Sequence, residues 1–159
     1  MQNKEKVLII IKPDALIRGY FGEVVSRFER KGLKIIATKM AKLEDVILEE
    51  HYNHLADKPF FGRIKEFMQS APVILMVLSG VNAVEATRLI VGPTDGSKAD
   101  AGSIRGDFSL SIQSNLVHAS DSPENGEKET FIFFSKDEIY EYMRAGEDVI
   151  YSHINKMDF

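Results

Sequence analysis

A histidine set among small and hydrogen-bonding residues is the clearest candidate for chemistry in this sequence. It lies within the run Asn115-Leu116-Val117-His118-Ala119-Ser120-Asp121-Ser122, and Glu129 follows in the same stretch. A neutral imidazole such as that of His118 is a competent nucleophile, and it works best when a carboxylate fixes its tautomer. The plainer alternative, which the local sequence leaves open, is a turn histidine bonded to a neighbouring serine or aspartate.

A lysine at the end of an apolar run is the second candidate. Lys12 directly follows the β-branched run 7–11 and precedes Pro13 and Asp14. An ammonium group is costly to bury without a partner of opposite charge or a hydrogen-bond acceptor. The sequence therefore predicts that Lys12 meets Asp14, a helix end or the phosphate of a ligand.

Two arginines and a phenylalanine are further residues considered for a functional role. Arg105 lies in the run Ile104-Arg105-Gly106-Asp107-Phe108, Arg88 lies in a predicted helix, and Phe60 precedes Phe61. Each has an ordinary interpretation as well. Arg105 could belong to a surface turn, Arg88 could lie along its helix with its charge in water, and Phe60 could be a core residue.

Two further stretches contain residue types found in ligand sites, but their spacing gives weaker support for a site. The segment 92–98 contains the glycines, threonine and lysine of a phosphate-binding loop, but its spacing does not match that motif. A phosphate contact through Thr94 remains open. His51 and His54 could chelate a metal from one helix face, but no third ligand accompanies them, so the sequence favours two solvated histidines.

Composition limits the class of protein. The 159 residues suit one domain, which we expect to span 1–159, and the net charge of −4 gives no general attraction for nucleic acid. The absence of cysteine excludes disulfides and thiol chemistry and suits a reducing cytoplasm, which is the compartment we expect. The apolar run 7–11 is too short for a membrane span, so no membrane partner is expected.

Apolar patterning predicts four strands and four helices that must position these residues. Short β-branched or aromatic runs indicate strands, and a spacing of three and four residues indicates helices. Gly32 is predicted to end the first helix, and Asn82 with Glu85 resembles a capping box that begins the last one. The predicted strands are 7–11, 33–40, 72–78 and 130–134, and the predicted helices are 21–31, 44–56, 60–69 and 82–90.

The order of these elements predicts an α+β fold. It suggests a ferredoxin-like split βαβ arrangement, a four-stranded antiparallel sheet covered by helices on one face. A parallel doubly wound sheet is the alternative. The irregular stretch 91–129 is predicted to be a long functional loop before the last strand, because it contains Arg105, Asn115 and His118.

Taken together, the short sequence motifs of this chain resemble those of nucleoside diphosphate kinase along residues 5–135. No single motif would suffice, but all of them in order are specific. The matching segments are Ile11-Lys12-Pro13-Asp14, Arg18-Gly19, Gly22-Glu23, Arg27-Phe28-Glu29-Arg30-Lys31-Gly32, His51-Tyr52, Lys58-Pro59-Phe60-Phe61, Ile104-Arg105-Gly106-Asp107-Phe108 and Asn115-Leu116-Val117-His118-Ala119-Ser120-Asp121-Ser122.

The resemblance assigns roles to individual residues. It makes His118 the residue that is phosphorylated through Nδ1, with Glu129 as its orienting carboxylate, Ser120 as support for that pair, and Lys12 as a further catalytic residue. Phe60 would stack on the base, with Ile112 as a second apolar contact. The nucleotide-binding residues implied in this way are Lys12, Tyr52, Phe60, Arg88, Thr94, Arg105, Ile112 and Asn115.

The resemblance also implies an activity and its partners. The γ-phosphoryl group of a nucleoside triphosphate, typically ATP, would pass to a nucleoside diphosphate in a ping-pong cycle. Mg²⁺ would arrive on the nucleotide phosphates, with no metal site of the protein itself, and the chain would form a homo-oligomer, a tetramer or hexamer built from dimers. The alternative is a non-catalytic, nucleotide-binding ferredoxin-like module, which would be expected to lack some of these residues.

The region 135–159 is predicted to hold a closing helix and an extension. Residues 136–142 suit the helix that closes such domains. Beyond them, Val149, Ile150, Tyr151 and Ile154 form an apolar extension. We expect it to pack on the body of the protein or on a neighbouring subunit.

Overall fold

The structure, a computed structural model, describes residues 4–151. Its strands are β1 (Lys4–Ile11), β2 (Lys34–Ala41), β3 (Val73–Val81) and β4 (Val117–Ala119). Its helices are α1 (Pro13–Ile17), α2 (Phe21–Lys31), α3 (Asp45–His51), α4 (Phe61–Gln69), α5 (Ala83–Val91), α6 (Ile104–Phe108), α7 (Pro123–Phe133) and α8 (Glu147–Tyr151). Short 3₁₀ turns lie at Asn53–Leu55, Gly96–Lys98 and Lys136–Glu138.

The four strands form one antiparallel sheet in the order β2-β3-β1-β4. This is the ferredoxin-like arrangement, so the predicted α+β class is confirmed and the parallel alternative is excluded. The central strand β1 pairs with β3 on one side and with β4 on the other. In that register Ile10 lies opposite Leu75 and also opposite His118, which places the candidate nucleophile beside the middle of the core.

Helices cover both faces of the sheet, so the expectation of helices on one face was wrong. Successive side chains of a strand point to opposite faces. In β1, Val7 and Ile9 pack with α2 and α5, whereas Leu8 and Ile10 pack with α3, α4 and α7. All four are fully buried. A continuous apolar strand of this kind needs a cover on each face, and that requirement was already visible in its sequence.

The predicted last strand, 130–134, was wrong. Residues 130–133 form the end of helix α7, Phe134 follows it in an extended conformation, and the fourth strand is the short β4. Ser122 caps α7 by accepting a hydrogen bond from the N–H of Asn125, and Pro123 occupies its first turn, which is a helix start that competes with aromatic β-propensity. Gly126, Thr130 and Phe133 are buried in this helix, at the helical spacing of four and three residues. The functional loop is correspondingly shorter and contains α6.

Helix α7 lies unusually close to the sheet because it has a glycine at the contact. A Cβ atom at Gly126 would come within 2.0 Å of the carbonyl oxygen of Lys6 in β1. Any larger residue would push the helix off the strand. Gly126 therefore fixes the distance from β1 to α7, and α7 carries Glu129.

Several element ends differ from the predicted ones. The helix predicted over 44–56 ends at His51 and continues as a 3₁₀ turn. The predicted capping box does not form, because the N–H of Val84 binds the carboxylate of Glu5 at 3.0 Å and Asn82 makes no side-chain cap. The predicted closing helix is only a 3₁₀ turn, after which the N–H of Tyr140 binds the carbonyl of Ile36 at 2.8 Å.

The predicted end of the helix over 21–31, which is α2 in the structure, is confirmed. Helix α2 ends at Lys31, and Gly32 adopts the left-handed conformation with φ of 98°.

No helix within residues 4–151 is long and apolar enough to cross a bilayer.

The segment 144–151 packs against the turn between α2 and β2. Arg144 donates hydrogen bonds to the carbonyls of Leu33 and Glu29, each at 3.0 Å. Glu147 pairs with Lys4 and with Lys34, the latter at 3.4 Å. Residues 144–151 therefore join the first strand to the second. Of the predicted apolar extension, Ile154 lies outside the described residues.

Replacing Glu147 with glutamine is expected to lower the melting temperature at pH 7 by about 2–4 °C, the shift that about 1 kcal/mol produces in a chain of this size. The reason is that the Lys34 side chain, only 7% exposed, loses a charged partner. Glu141→Gln is the matched control, because that carboxylate is 81% exposed and 4.0 Å from the same ammonium.

The difference between wild type and Glu147→Gln should depend on pH. The hydrogen bond from Lys4 lowers the pKa of Glu147 from 4.5 to about 2. A lowered carboxyl pKa stabilises the fold fully above the ordinary value, and this contribution is lost as the pH falls toward 2. Thermal melts between pH 7 and pH 2.5 measure it, and equal melting temperatures at pH 7 for both variants and wild type would contradict the prediction.

Candidate active site

An open cleft of about 980 Å³ lies between the α3–α4 region and the loop that leads into β4. It contains all but one of the residues that the sequence singled out, although they come from distant parts of the chain. Those lining it are Lys12, Tyr52, Phe60, Arg88, Thr94, Arg105, Ile112, Asn115, His118 and Glu129. The exception, Ser120, is fully buried beneath the cleft.

The ends of two neighbouring strands place the nucleophile and the lysine together. Lys12 directly follows β1, and His118 is the middle residue of β4, which pairs with β1. The N–H of Lys12 binds the carbonyl of Leu116 at 2.9 Å, so the backbone on both sides is fixed. The antiparallel register thus places an imidazole and an ammonium at the same edge of the sheet.

His118 is held by a short chain of hydrogen bonds that begins in the core. Its Nε2 lies 3.1 Å from a carboxylate oxygen of Glu129, and the hydroxyl of Ser120 donates to that same oxygen at 2.6 Å. The Ser120 oxygen accepts from the N–H of Leu8 at 3.0 Å. An Nε2–H that donates to the carboxylate leaves the lone pair of the neutral ring on Nδ1. This is the tautomer in which Nδ1 can attack.

Glu129 remains ionised in this position. Burial by itself would raise its pKa, but hydrogen bonds from His118 and Ser120 outweigh the burial and hold the pKa below the ordinary value. A carboxylate that stays charged keeps the ring oriented and stabilises positive charge that develops on it.

Lys12 finds a neutral partner within the chain. Its ammonium donates to the side-chain oxygen of Asn115 at 2.7 Å. Of the three partners considered from the sequence, Asp14 makes no hydrogen bond to it, since that carboxylate accepts from the N–H of Leu116 at 3.1 Å. Desolvation and the nearby charge of Arg105 lower the pKa of Lys12 to about 8, with Asp14 acting in the opposite direction.

Arg105 ties the loop together as well as lining the cleft. Its guanidinium is buried and donates to the carbonyls of Gly92 at 2.9 Å and Asn115 at 3.1 Å, and also to that of Val117. Burial, with a smaller effect from Arg88, lowers its pKa to about 10, so it stays a cation at neutral pH. The surface-turn alternative for Arg105 is therefore excluded by its burial.

Asn115 and Leu116 complete the rigid part of the loop. The amide of Asn115 donates to the carbonyl of Thr94 at 2.8 Å, so Thr94 is joined to Lys12 through one side chain. Leu116 has φ of 72°, a strained conformation for a branched residue. The hydrogen bond from its N–H to Asp14 holds it there. The backbone is thus set before any ligand arrives.

The mouth of the cleft is apolar on one side and cationic on the other. Phe60 and Ile112 are 39% and 64% exposed, so neither is the core residue that Phe60 could have been. Arg88 is exposed on α5 and makes no hydrogen bond within the described residues. Flat apolar surface beside a free guanidinium suits a ligand that has both a ring and phosphates.

His51 was missed by the sequence analysis, which expected it to be solvated. It is 6% exposed, and its ring packs edge-on against that of His118, with centroids 4.6 Å apart. Burial and the neighbouring His118 lower its pKa to about 3, so it is neutral. The signal was its spacing of three residues from the buried Leu48, which places both on the inner face of α3. His54, by contrast, is exposed.

Only one group of three metal-ligating side chains occurs among residues 4–151, namely His51, His118 and Glu129. Mg²⁺ prefers oxygen ligands and keeps much of its water, so two imidazoles and one carboxylate do not form a site for it. The cleft therefore offers Mg²⁺ no carboxylate cage from the described part of the chain.

Lys12 should titrate near pH 8 in the free protein, because desolvation and Arg105 disfavour its charged form. The ¹³Cε chemical shift of labelled lysine, followed from pH 6 to 11, measures this midpoint. The resonance is assigned by its disappearance in Lys12→Arg. Asp14→Asn should move the midpoint lower still, since Asp14 favours the charged form. A midpoint above pH 10, or one that Asp14→Asn leaves unchanged, would contradict the assignment of causes.

Comparison with known proteins agrees with the geometry. The family model described as nucleoside diphosphate kinase matches residues 5–139. The nucleoside diphosphate kinase of Parabacteroides distasonis is 52% identical over 87% of this chain and 90% of its own. That of Archaeoglobus fulgidus is 46% identical over 92% of this chain and 97% of its own.

Solved structures show the same relationship. The halophilic nucleoside diphosphate kinase of Halobacterium salinarum, solved in complex with CDP, superposes with a TM-score of 0.90 at 36% identity. The match covers 94% of this chain and 99% of that one. The chain therefore belongs to the nucleoside diphosphate kinase family and is a phosphotransferase that acts on nucleotides.

Proposed function

We propose that His118 is the residue through which this enzyme moves the γ-phosphoryl group of a nucleoside triphosphate to a nucleoside diphosphate. The observation that carries the assignment is the hydrogen bond of Nε2 to the Glu129 carboxylate at 3.1 Å, which leaves the lone pair of the neutral ring on Nδ1 of a residue that lines the cleft. The lone pair of Nδ1 attacks the γ-phosphorus, and the bond from that phosphorus to the β,γ-bridging oxygen breaks. The diphosphate leaves with the bonding electrons.

The second half of the cycle reverses the first with another nucleotide. A terminal phosphate oxygen of the incoming diphosphate attacks the phosphorus on His118, and the N–P bond breaks. The electron pair returns to Nδ1, and Nε2 keeps its proton throughout, with Glu129 balancing the positive charge on the ring. One cleft thus serves donor and acceptor in turn, which produces ping-pong kinetics.

Positive charge supplies the rest of the catalysis. Phosphoryl transfer depends chiefly on positioning and on neutralising the charge of the phosphate oxygens. Lys12, Arg88 and Arg105 line the same cleft as His118. We assign them to the phosphates, with Thr94, Asn115 and Tyr52 as polar contacts to phosphate and ribose.

Phe60 is assigned to the base, with Ile112 as the second apolar contact. Both are exposed at the cleft mouth. Every base has a π-face, so a stacking contact grips all of them with little preference. This arrangement favours broad tolerance of the base over recognition of one nucleotide.

Kinases of nucleotides generally need a divalent metal, and we assign Mg²⁺ to that role as part of the nucleotide substrate. The described residues offer no oxygen cage for it, as stated above. When bound to the phosphates it neutralises part of their charge. Lys12 and the two arginines bind the remaining phosphate oxygens.

We further propose one domain over 1–159, a cytoplasmic location, and a homo-oligomer built from dimers, tetrameric or hexameric. The absence of cysteine supports the location. Apolar side chains at the surface, such as Leu110 at 88% and Met40 at 61% exposure, support assembly. Light scattering of the purified protein measures the assembly directly.

Incubation with γ-labelled ATP should place an acid-labile, base-stable label on the wild-type chain, because a phosphohistidine has that stability. His118→Ala should take up none, whereas His54→Ala, which changes an exposed histidine of the same cleft, should label normally. The label should leave on addition of any nucleoside diphosphate. Absence of label in wild type, or equal labelling of His118→Ala, would show that the proposed phosphohistidine mechanism is wrong.

Arg105→Ala should impair turnover far more than Phe60→Ala. Loss of a stacking contact costs about 1–3 kcal/mol, and another apolar contact remains at Ile112. Loss of an arginine that meets transferring phosphate costs about 10³-fold or more. Arg105→Ala should also lower the melting temperature, since the three hydrogen bonds from its guanidinium to backbone carbonyls are lost. Steady-state kcat/KM and thermal melts measure both effects, and comparable losses in kcat/KM would refute the ranking.

A further inference from the structure

A buried histidine beside the nucleophile has no hydrogen-bond partner. Neither ring nitrogen of His51 forms a hydrogen bond to the described residues, although the side chain is 6% exposed. A buried polar group without a partner is uncommon and points to something that fills the gap. The phosphotransfer steps derived above do not use either nitrogen.

His51 lies among side chains whose metal-ligand atoms together suit one class of metal ion. One ligand atom each from His51, His118 and Glu129 lies within 4.8 Å of the other two. Two imidazoles and a carboxylate are a ligand set of zinc sites with an open fourth position. They are a poor set for Mg²⁺ or Ca²⁺, which prefer oxygen.

The separation between two of the donors already fits such an ion. The Nε2 of His118 and a Glu129 oxygen are 3.1 Å apart. With bonds of about 2.0–2.1 Å, ligand atoms around a tetrahedral zinc ion are about 3.3 Å apart. An ion could therefore replace the proton between Nε2 and the carboxylate with little movement. To supply a third ligand, the ligand atom of His51, which lies within 4.8 Å of the other two, must move closer to them.

We propose that His51, His118 and Glu129 form a binding site for a borderline divalent cation of the zinc type, and that occupancy of this site switches off phosphorylation of His118. The site is separate in chemistry from the Mg²⁺ that accompanies the nucleotide. Metal binding itself needs no nucleotide and no turnover, whereas the switch rests on the proposed phosphorylation of His118.

The switch follows from the tautomers of imidazole. A cation on Nε2 takes the lone pair at that atom, and the ring proton moves from Nε2 to Nδ1. No proton is lost overall and the ring stays neutral. Because Nδ1 then carries the proton, it has no lone pair for the γ-phosphorus. Glu129 is occupied by the same ion and no longer orients the ring for attack.

Direct binding tests the site. Nucleotide-free enzyme is titrated with Zn²⁺ against a chromogenic chelator, and Co²⁺ is used as a spectroscopic probe of tetrahedral coordination. We expect one ion per chain, with affinity reduced at least tenfold in His51→Gln and in His118→Gln. His54→Gln is the matched control and should bind as wild type does, because that side chain is exposed and outside the group of three.

The result is interpretable even if one variant folds poorly. His51→Gln changes a buried residue, so its melting temperature is measured alongside; His118→Gln changes a side chain that is 21% exposed and provides an independent loss of one donor. Absence of stoichiometric binding to wild type would overturn the proposal. Binding to folded His51→Gln as tight as to wild type would overturn it as well, as would an equal loss in His54→Gln.

Labelling at a fixed free Zn²⁺ concentration tests the switch. Zinc-loaded wild type should form phosphohistidine at least tenfold more slowly with excess Mg²⁺ and ATP, and a zinc-selective chelator should restore the rate. In His51→Gln, the ratio of rates with and without zinc should approach one. Labelling without zinc reports on the proposed function alone, so its failure is distinct from failure of the metal site. An unchanged rate in zinc-loaded wild type would overturn the switch.

Discussion

The chain of hydrogen bonds from Leu8 through Ser120 to Glu129 and His118 is the interaction on which the rest of the site depends. It links the backbone of the central strand to the side chain that carries the chemistry. Because Glu129 is carried by α7, the position of α7 on the sheet sets the distance from carboxylate to imidazole. The close contact at Gly126 fixes that position through the backbone rather than through flexible side chains. Rigid backbone packing is the kind of support that preorganised chemistry requires.

Around this chain of hydrogen bonds, the protein holds cationic side chains that no carboxylate fully neutralises. Lys12 and Arg105 both have lowered pKa values, about 8 and about 10, and in each case burial is the largest cause. A bound anionic ligand raises both pKa values, because its phosphates supply the missing negative charge next to each cation. The hydrogen bonds of Arg105 to the loop and the strained Leu116 keep these charges in place in the absence of nucleotide.

The ring of His51, buried and neutral, packs beside the nucleophile. This ring packs edge-on against those of His118, Tyr52 and Phe133, so this side of the catalytic imidazole borders a buried ring. A low local dielectric strengthens the interaction of His118 with Glu129. The same enclosure brings two imidazoles and a carboxylate together. The packing of His51 against His118 therefore supports both phosphotransfer and the metal site proposed above.

The sequence by itself determined the α+β class, the three long strands and the helix that ends at Gly32, because these depend on local periodicity and on the conformational preferences of glycine and proline. Residue chemistry by itself pointed to His118 and Lys12, and the resemblance to nucleoside diphosphate kinase, carried by motifs in sequence order, implied the other residues that share one cleft. The sequence misassigned 130–134, where aromatic β-propensity and a serine–proline helix start conflict, and tertiary packing on β1 decided in favour of the helix.

Only the tertiary structure decided the partners of these residues. Lys12 binds Asn115 and not Asp14, Arg105 binds loop carbonyls, and His51 is buried against His118. Each of these contacts joins segments far apart in the chain or depends on which face of a helix is covered. Local sequence carries no information about such distances, whereas the antiparallel register of β1 and β4 brings Lys12 beside the segment 115–118.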